Sequence, residues 1–138
     1  MMGGYHSDMT RTVAFGDPPG QLRDVYAIVQ AAQQAGIDAV RAGASGGDVD
    51  EASRGVVRDA GFDHAFNHGL GHGVGLQIHE GPNFRRGGTD VLPAGAVMTV
   101  EPGIYLDGVG GVRIEDMVEV LDDGAALIPT SPRELMVL

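Results

Sequence analysis

The sequence predicts an α+β fold in which two helices come first and a meander of strands follows. Two stretches of the first half carry apolar residues at three- and four-residue steps, which is the period of an amphipathic helix. The second half contains three runs rich in β-branched residues, separated by turns that contain glycine and aspartate. Because helices and strands are segregated along the chain and do not alternate, the pattern favours α+β over α/β.

The N-terminal region predicts one strand and one long helix. Residues 5–15 contain Thr, Val and aromatic side chains typical of a strand, and the cluster 16–20 (Gly-Asp-Pro-Pro-Gly) predicts a turn after it. The apolar spacing over residues 21–41 predicts an amphipathic helix. We expect that helix to be weakened near Gly36, because glycine loses more backbone entropy than other residues when it becomes helical.

A second helix is predicted over residues 49–60, with three acidic side chains favourably placed near its N-terminal dipole: Asp48, Asp50 and Glu51. The character of the chain changes after Gly61. Four glycines alternate with other residues over 69–75, so we expect extended or irregular backbone there and no helix.

The remaining elements are a long loop and three strands. Residues 81–95 are polar and rich in Gly, Pro and Arg, and they predict a loop. Strands are predicted over residues 96–105, 112–121 and 126–129, with a hairpin-like connection between the first two. No repeat or linker divides the chain, so residues 1–138 are predicted to form one unit.

Composition excludes several classes of function. The chain has 138 residues with 19 acidic and 9 basic side chains, all nine of them Arg, and a formal net charge of −10. Such a charge repels phosphate backbones and anionic lipids, so we expect no nucleic-acid partner and no membrane. Cysteine is absent, which excludes disulfides and thiolate metal sites. No apolar run is long enough to span a bilayer, and we expect a cytoplasmic protein.

Two predicted strands carry carboxylates where apolar residues are expected. Glu101 follows Val97-Met98-Thr99-Val100, and Glu115 follows Val112-Arg113-Ile114. Burying a lone carboxylate is costly, so each must be neutralised, paired or bound to a metal. Arg113 and Glu115 are two residues apart and are predicted to share one face of a strand. A buried Arg–Glu pair or an exposed edge strand is the alternative interpretation.

The histidines are concentrated in the glycine-rich segment. His68 and His72 are framed by glycines that allow backbone and substrate to approach closely, and His79 follows. His6 and His64 carry no such context and are interpreted as structural or surface residues. The spacing of His68 and His72 alone is a weak metal pattern. Carboxylates with one imidazole favour Mn²⁺, Co²⁺ or Fe²⁺ over a thiolate-selected metal.

Four motifs in order resemble the Xaa-Pro dipeptidase and aminopeptidase group of metallopeptidases, family M24. They are Gly-Tyr-His-Ser-Asp-Met-Thr-Arg-Thr (4–12), His-Gly-Leu-Gly-His-Gly-Val-Gly-Leu (68–76) with His79-Glu80, Thr-Val-Glu-Pro-Gly-Ile-Tyr (99–105) and Gly-Val-Arg-Ile-Glu-Asp (111–116). The short spacing from Glu101 to Glu115 resembles the compact bacterial prolidases. The resemblance implies the C-terminal part of a pita-bread catalytic domain, with two helices and a curved antiparallel sheet.

The same resemblance implies roles for seven residues. Four match metal-ligand positions: Asp8, His72, Glu101 and Glu115. His68 and His79 match substrate-facing histidines, and Arg113 matches a residue that supports the ligands. The implied reaction is hydrolysis of the bond before proline by a metal-activated water, with Glu101 handling the proton of that water.

The family's fifth ligand is an Asp one strand upstream of Asp8, and in this sequence it would precede Met1. We therefore expect one divalent ion per chain, most favourably Mn²⁺, with Co²⁺, Fe²⁺ or Zn²⁺ as alternatives, and impaired activity. We also expect self-association through the face that the missing half would cover.

Two other classes of function stay open. The first is a peptide-binding or oligomerising module without catalysis, which some pita-bread domains are. The second is a metal-free hydrolase of the creatinase type. The full Asp, His, Glu, Glu set disfavours both, because neither needs carboxylates in apolar strands.

Overall fold

The computed structural model describes residues 3–138, in which one short strand precedes two long helices and eight short strands follow them. Helix α1 spans Gly20–Ala39, α2 spans Gly46–Asp59, and a short 3₁₀ helix spans Asp63–Ala65. The strands are β1 (Val13–Ala14), β2 (Gly71–Gly73), β3 (Glu80–Phe84), β4 (Val97–Val100), β5 (Gly103–Leu106), β6 (Gly110–Arg113), β7 (Asp116–Val120), β8 (Ala125–Leu127) and β9 (Met136–Val137). The α+β prediction is confirmed.

The strands form one main sheet and two small ones. The main sheet has the order β3-β2-β4-β7-β8, and all of its neighbouring strands are antiparallel. Its centre is the β4–β7 pair, where Met98 lies opposite Val118. Strands β5 and β6 form a separate hairpin, and β1 pairs with β9 in parallel. The main sheet and the hairpin are therefore joined at the ends of β4 and β7.

The hydrophobic core lies between the helices and the strands. Apolar faces of α1 and α2 pack with side chains of the sheet and the hairpin, and the fully buried members include Val25, Val29, Val57, Leu70, Met98 and Ile104. Burial of each such side chain contributes roughly 1.5–3 kcal/mol. No helix within residues 3–138 is both long and apolar enough to cross a bilayer.

Both helices differ in detail from the prediction. Helix α1 continues through Gly36 because a Cβ there would lie 3.0 Å from both Leu70 Cδ2 and Val100 Cγ1, so glycine permits close packing. Helix α2 begins at Gly46, three residues earlier than predicted, and the side chain of Ser45 caps it by accepting a hydrogen bond from the Asp48 amide.

The strands differ more. The predicted strand 5–15 is reduced to β1 and an isolated bridge between Thr10 and Glu115. The strand β3 occupies part of the predicted loop 81–95. The two predicted runs 96–105 and 112–121 each break into two strands, because the chain leaves the main sheet for the hairpin and returns. Glu101 and Glu115 lie at these two breaks.

Candidate metal centre

Four separate segments bring the predicted ligands together where the main sheet meets the hairpin. Asp8 precedes the Thr10 bridge, and His72 is the middle residue of β2. Glu101 follows β4, and Glu115 lies between β6 and β7. Strands β2 and β4 are neighbours in the sheet, so His72 and Glu101 approach each other directly.

The ligand atoms of these side chains converge. Nε2 of His72 lies 3.3 Å from Oε1 of Glu101 and 3.8 Å from Oδ2 of Asp8. One ligand atom each from His72, Glu101 and Glu115 lies within 4.8 Å of the others, as does one each from Asp8, His72 and His79. His72 belongs to both groups and is the centre of the cluster.

The imidazole of His72 is oriented by the backbone. Its Nδ1 lies 3.0 Å from the carbonyl oxygen of Gly73 and is assigned as the donor there, which points Nε2 toward Glu101 and Asp8. The amide of His72 donates to Oγ1 of Thr99 at 3.0 Å. A metal-ligating histidine needs this arrangement, because a hydrogen bond at one ring nitrogen fixes the tautomer and leaves the other nitrogen free to bind.

Two threonines orient the two glutamates, and neither was predicted from the sequence. Thr10 donates to Oε2 of Glu115 at 2.5 Å and accepts from Nε of Arg113 at 3.1 Å. Thr99 donates to Oε1 of Glu101 at 3.2 Å. Each threonine is two residues from a ligand carboxylate, Thr10 from Asp8 and Thr99 from Glu101. Side chains two apart on extended backbone share a face, and that spacing was the available signal.

Arg113 and Glu115 do not share a strand, so that prediction is wrong. Strand β6 ends at Arg113, and Glu115 lies beyond it. The two side chains meet instead through the hydroxyl of Thr10. The supporting contact between Arg113 and the ligand is therefore indirect.

The electrostatic environment of the cluster fits a cation. Burial raises the pKa of Glu115, and the charges of Glu101 and Asp8 raise it further against the opposing effects of Thr10 and Arg113. Burial lowers the pKa of His72, but the hydrogen bond to Glu101 and the other groups around it prevail, so the net shift of that pKa is upward. The carboxylates of Glu101 and Asp8 thus contribute to both upward shifts, and a cation placed between these groups would offset their negative charge.

The donor set also fits a divalent ion by its chemistry. Three carboxylates and one imidazole provide hard oxygen ligands and one borderline nitrogen, which suits Mn²⁺, Co²⁺, Fe²⁺ or Zn²⁺. Glu115 is only 3% exposed, and a buried carboxylate beside two others must either hold a proton or face a compensating positive charge. The residues that could hold the ion are therefore Asp8, His72, Glu101 and Glu115, with His79 in reach of the first two.

The remaining predicted residues line one cleft beside the cluster. This cleft has a volume of about 510 Å³ and is bordered by His68, His72, His79, Glu101 and Arg113, together with Asn83 and Arg85. The imidazole of His79 is exposed at its edge and packs edge-on against that of His72, with 4.4 Å between ring centroids. The structure therefore brings all seven predicted side chains to the same region.

Both ring nitrogens of His68 are engaged within the chain. Nδ1 lies 2.7 Å from the carbonyl oxygen of Gly69, and Nε2 lies 3.0 Å from the hydroxyl of Tyr105. That hydroxyl also lies 3.5 Å from Nη1 of Arg113. Tyr105 thus connects two predicted site residues, and nothing in the sequence apart from its position after Glu101 indicated this.

Comparison with known proteins identifies the family. Residues 1–122 match metallopeptidase family M24. The chain belongs to family M24. It is 42% identical over 135 residues to the Xaa-Pro dipeptidase of Lactobacillus delbrueckii subsp. lactis. The aligned region covers 98% of this chain and 37% of that protein. The resemblance noted in the sequence is confirmed.

Solved structures of family M24 members confirm the fold. The Xaa-Pro dipeptidase from Bacillus anthracis superposes with a TM-score of 0.96 at 44% identity, covering 98% of this chain and 38% of that one. The dipeptidase PepE from Mycobacterium ulcerans gives 0.94 at 46% identity, covering 99% and 37%. The chain has the C-terminal part of the pita-bread fold and spans less than two fifths of the length of these relatives.

Proposed function

We propose that this family M24 chain is the metal-binding part of a peptidase that hydrolyses the peptide bond before proline. The observation that carries the proposal is the convergence of Asp8, His72, Glu101 and Glu115 from four segments beside a cleft, in two overlapping groups of ligand atoms that share His72. The substrate class, a dipeptide or peptide with proline in the second position, is supported by the names of relatives such as the Xaa-Pro dipeptidase of Lactobacillus delbrueckii.

The chain's own residues have distinct parts in the proposed reaction. Asp8, His72, Glu101 and Glu115 would hold a divalent ion, for which Mn²⁺ is our first choice, and that ion would supply an acidified water and polarise the scissile carbonyl. Glu101 is placed to take the proton of the attacking water, since it belongs to the ligand cluster and also lines the cleft. His79, exposed at the cleft, is placed to donate to the substrate oxygen. His68 lines the same cleft and would border the substrate there, and Arg113 holds Glu115 through Thr10.

A metal titration and a peptide assay on the metal-stripped chain test the proposal together. We expect calorimetry to give one Mn²⁺ per chain, because the described residues offer one set of four ligands around His72. We expect slow hydrolysis of Xaa-Pro dipeptides that EDTA abolishes and Mn²⁺ restores. The matched control substrate is the corresponding Xaa-Ala dipeptide, which should be cleaved more slowly.

Each contrary result favours a different function. Two Mn²⁺ per chain would contradict the single-ion site. Hydrolysis that survives EDTA would favour the metal-free hydrolase of the creatinase type. Peptide binding with neither metal uptake nor hydrolysis would favour the non-catalytic module.

A second copy of the chain is the proposed partner, through the apolar surface beside β8. Strand β8 is an edge of the main sheet, and Leu127 and Ile128 at its end are 43% and 45% exposed. An apolar groove of about 500 Å³ runs beside Ile128. Exposed edges and apolar patches of this kind favour association.

Sedimentation at micromolar concentration should therefore give a dimer or larger assembly. The variant Ile128→Glu should shift it toward monomer. The matched control is Val109→Glu, since Val109 is equally exposed at 45% but lies in the β5–β6 turn, and that variant should leave the assembly unchanged. A monomeric unsubstituted chain would overturn the proposal.

A further inference from the structure

Helix α2 carries a buried ion pair that no part of the proposed reaction uses. Asp50 and Arg54 are 0% and 3% exposed, and they are four residues apart on the helix. Nε of Arg54 donates to Oδ2 of Asp50 at 2.7 Å, and Nη2 donates to Oδ1 at 3.0 Å. Such a pair brings little net stability, because desolvation of both charges offsets their attraction. Its presence calls for another explanation.

The pair holds the backbone of the histidine segment 66–70. Arg54 donates from Nη1 to the carbonyl of Phe66 at 2.9 Å and from Nη2 to the carbonyl of His68 at 2.7 Å. Asp50 accepts from the amide of Leu70 at 3.0 Å. This segment precedes β2 and lies outside the helices and strands, so it lacks the ladder of hydrogen bonds that would fix its path.

The same pair acts on the imidazole of His68. The guanidinium of Arg54 lies over the ring of Phe66, 3.9 Å from its centroid. That ring packs edge-on against the imidazole of His68, with 5.0 Å between centroids and an interplanar angle of 76°. Arg54 therefore contacts the backbone carbonyl of His68 directly and contacts its imidazole indirectly, through the ring of Phe66.

The pair also reaches the metal cluster through one residue. Leu70 donates its amide to Asp50 and accepts with its carbonyl the amide of Glu101 at 2.8 Å. Leu70 is fully buried, so both hydrogen bonds are shielded from water. The peptide groups of Leu70 therefore connect α2 to the backbone of a proposed metal ligand.

We propose that Asp50 and Arg54 are positioning residues. They hold the side chain of His68 in the orientation in which it lines the cleft, and through Leu70 they fix the position of the Glu101 backbone relative to His68. The fork of the guanidinium is needed because it makes four hydrogen bonds, two to the carboxylate of Asp50 and two to backbone carbonyls, whereas an ammonium has only three donors. The functional meaning of this role rests on the proposed peptidase activity, whereas the positioning itself is a property of the metal-free chain.

Long-range ¹H–¹⁵N NMR of the histidine rings in the metal-free chain tests the inference. The unsubstituted chain should show His68 as the Nδ1–H tautomer, since Nδ1 donates to Gly69. In Arg54→Lys, which keeps an ion pair with Asp50, we expect the His68 signals to move and to average between tautomers. The signals of His6 should stay in place, because its ring contacts Gly75 and not α2.

Two further variants sharpen the result. The double variant Asp50→Leu/Arg54→Leu removes both charges together and should keep a cooperative thermal transition, yet lose the native His68 signals. The matched control is Arg58→Lys, on the same helix, whose exposed pair with Glu51 does not touch the histidine segment, and it should leave His68 unchanged. Native His68 signals in Arg54→Lys would overturn the inference. A failed Mn²⁺ titration of the unsubstituted chain would overturn only the proposed function.

Discussion

Replacing Glu115 by glutamine should lower the affinity of the chain for Mn²⁺ by about 100-fold or more while leaving the fold intact. Loss of a group that merely orients a metal ligand typically costs 10–100-fold in affinity, so loss of a charged ligand itself should cost at least the upper value. A factor of 100 corresponds to about 2.7 kcal/mol of binding free energy. Titration calorimetry on metal-stripped protein measures this directly.

The same substitution should not destabilise the metal-free chain. Burial and the charges of Glu101 and Asp8 already raise the pKa of Glu115, so its ionised form is disfavoured in the fold. Glutamine removes that charge and can still accept the hydrogen bond of Thr10. We expect the free energy of unfolding without metal to stay equal or to rise by up to about 1 kcal/mol. Added Mn²⁺ should stabilise the variant less than it stabilises the unsubstituted chain.

Glu119→Gln is the matched control, since Glu119 is an exposed residue of the neighbouring strand β7. It should change neither the Mn²⁺ affinity nor the stability by a measurable amount. A Glu115→Gln chain that binds Mn²⁺ as tightly as the unsubstituted one would remove Glu115 from the ligand set. A metal-free chain strongly destabilised by the change would instead indicate that the carboxylate has a structural role.

Features that depend on local spacing could be predicted from the sequence. The apolar period of α1 and α2 located both helices, because one face of each helix must contact the core. Glu101 and Glu115 were also found locally, since a carboxylate in an apolar run conflicts with burial. The glycines around His68 and His72 also indicated the right segment, because glycine allows other backbone and substrate to approach closely.

Features that depend on contacts between distant segments could not be predicted. Whether a β-type run stays in one sheet or crosses to a second depends on what it packs against, so the breaks at Glu101 and Glu115 were missed. Asp50 was interpreted as an acidic residue near the helix dipole, whereas the fold buries it beside Arg54. The available signal was weak: residues 50, 53, 54 and 57 follow the i, i+3, i+4, i+7 pattern of a buried face, and only the last is apolar.

Gly71→Ala should be the most destabilising single methyl addition in the region of the metal centre. A Cβ on Gly71 would overlap the backbone carbonyl oxygen of Thr99 and lie 2.9 Å from its Oγ1. Neither group can move without separating β2 from β4, since Gly73 pairs with Met98 close by. Overpacking of this kind costs 1–3 kcal/mol and occasionally more, and backbone contact places this case at about 3 kcal/mol. For a chain of this length, we expect the melting temperature to fall by roughly 12 °C.

The effect on the site should exceed the effect on stability alone, because His72 and Thr99 would be displaced from each other. The amide of His72 donates to Thr99, and Thr99 donates to Glu101, so a shift of β2 disturbs two proposed ligands at once. Gly20→Ala adds the same methyl group at the start of α1, where nothing lies within 4 Å of the new Cβ, and should stabilise the chain by about 0.4–1 kcal/mol. If Gly71→Ala melts within a degree or two of Gly20→Ala and binds Mn²⁺ normally, the close approach of β2 to β4 is not what holds His72 beside Glu101.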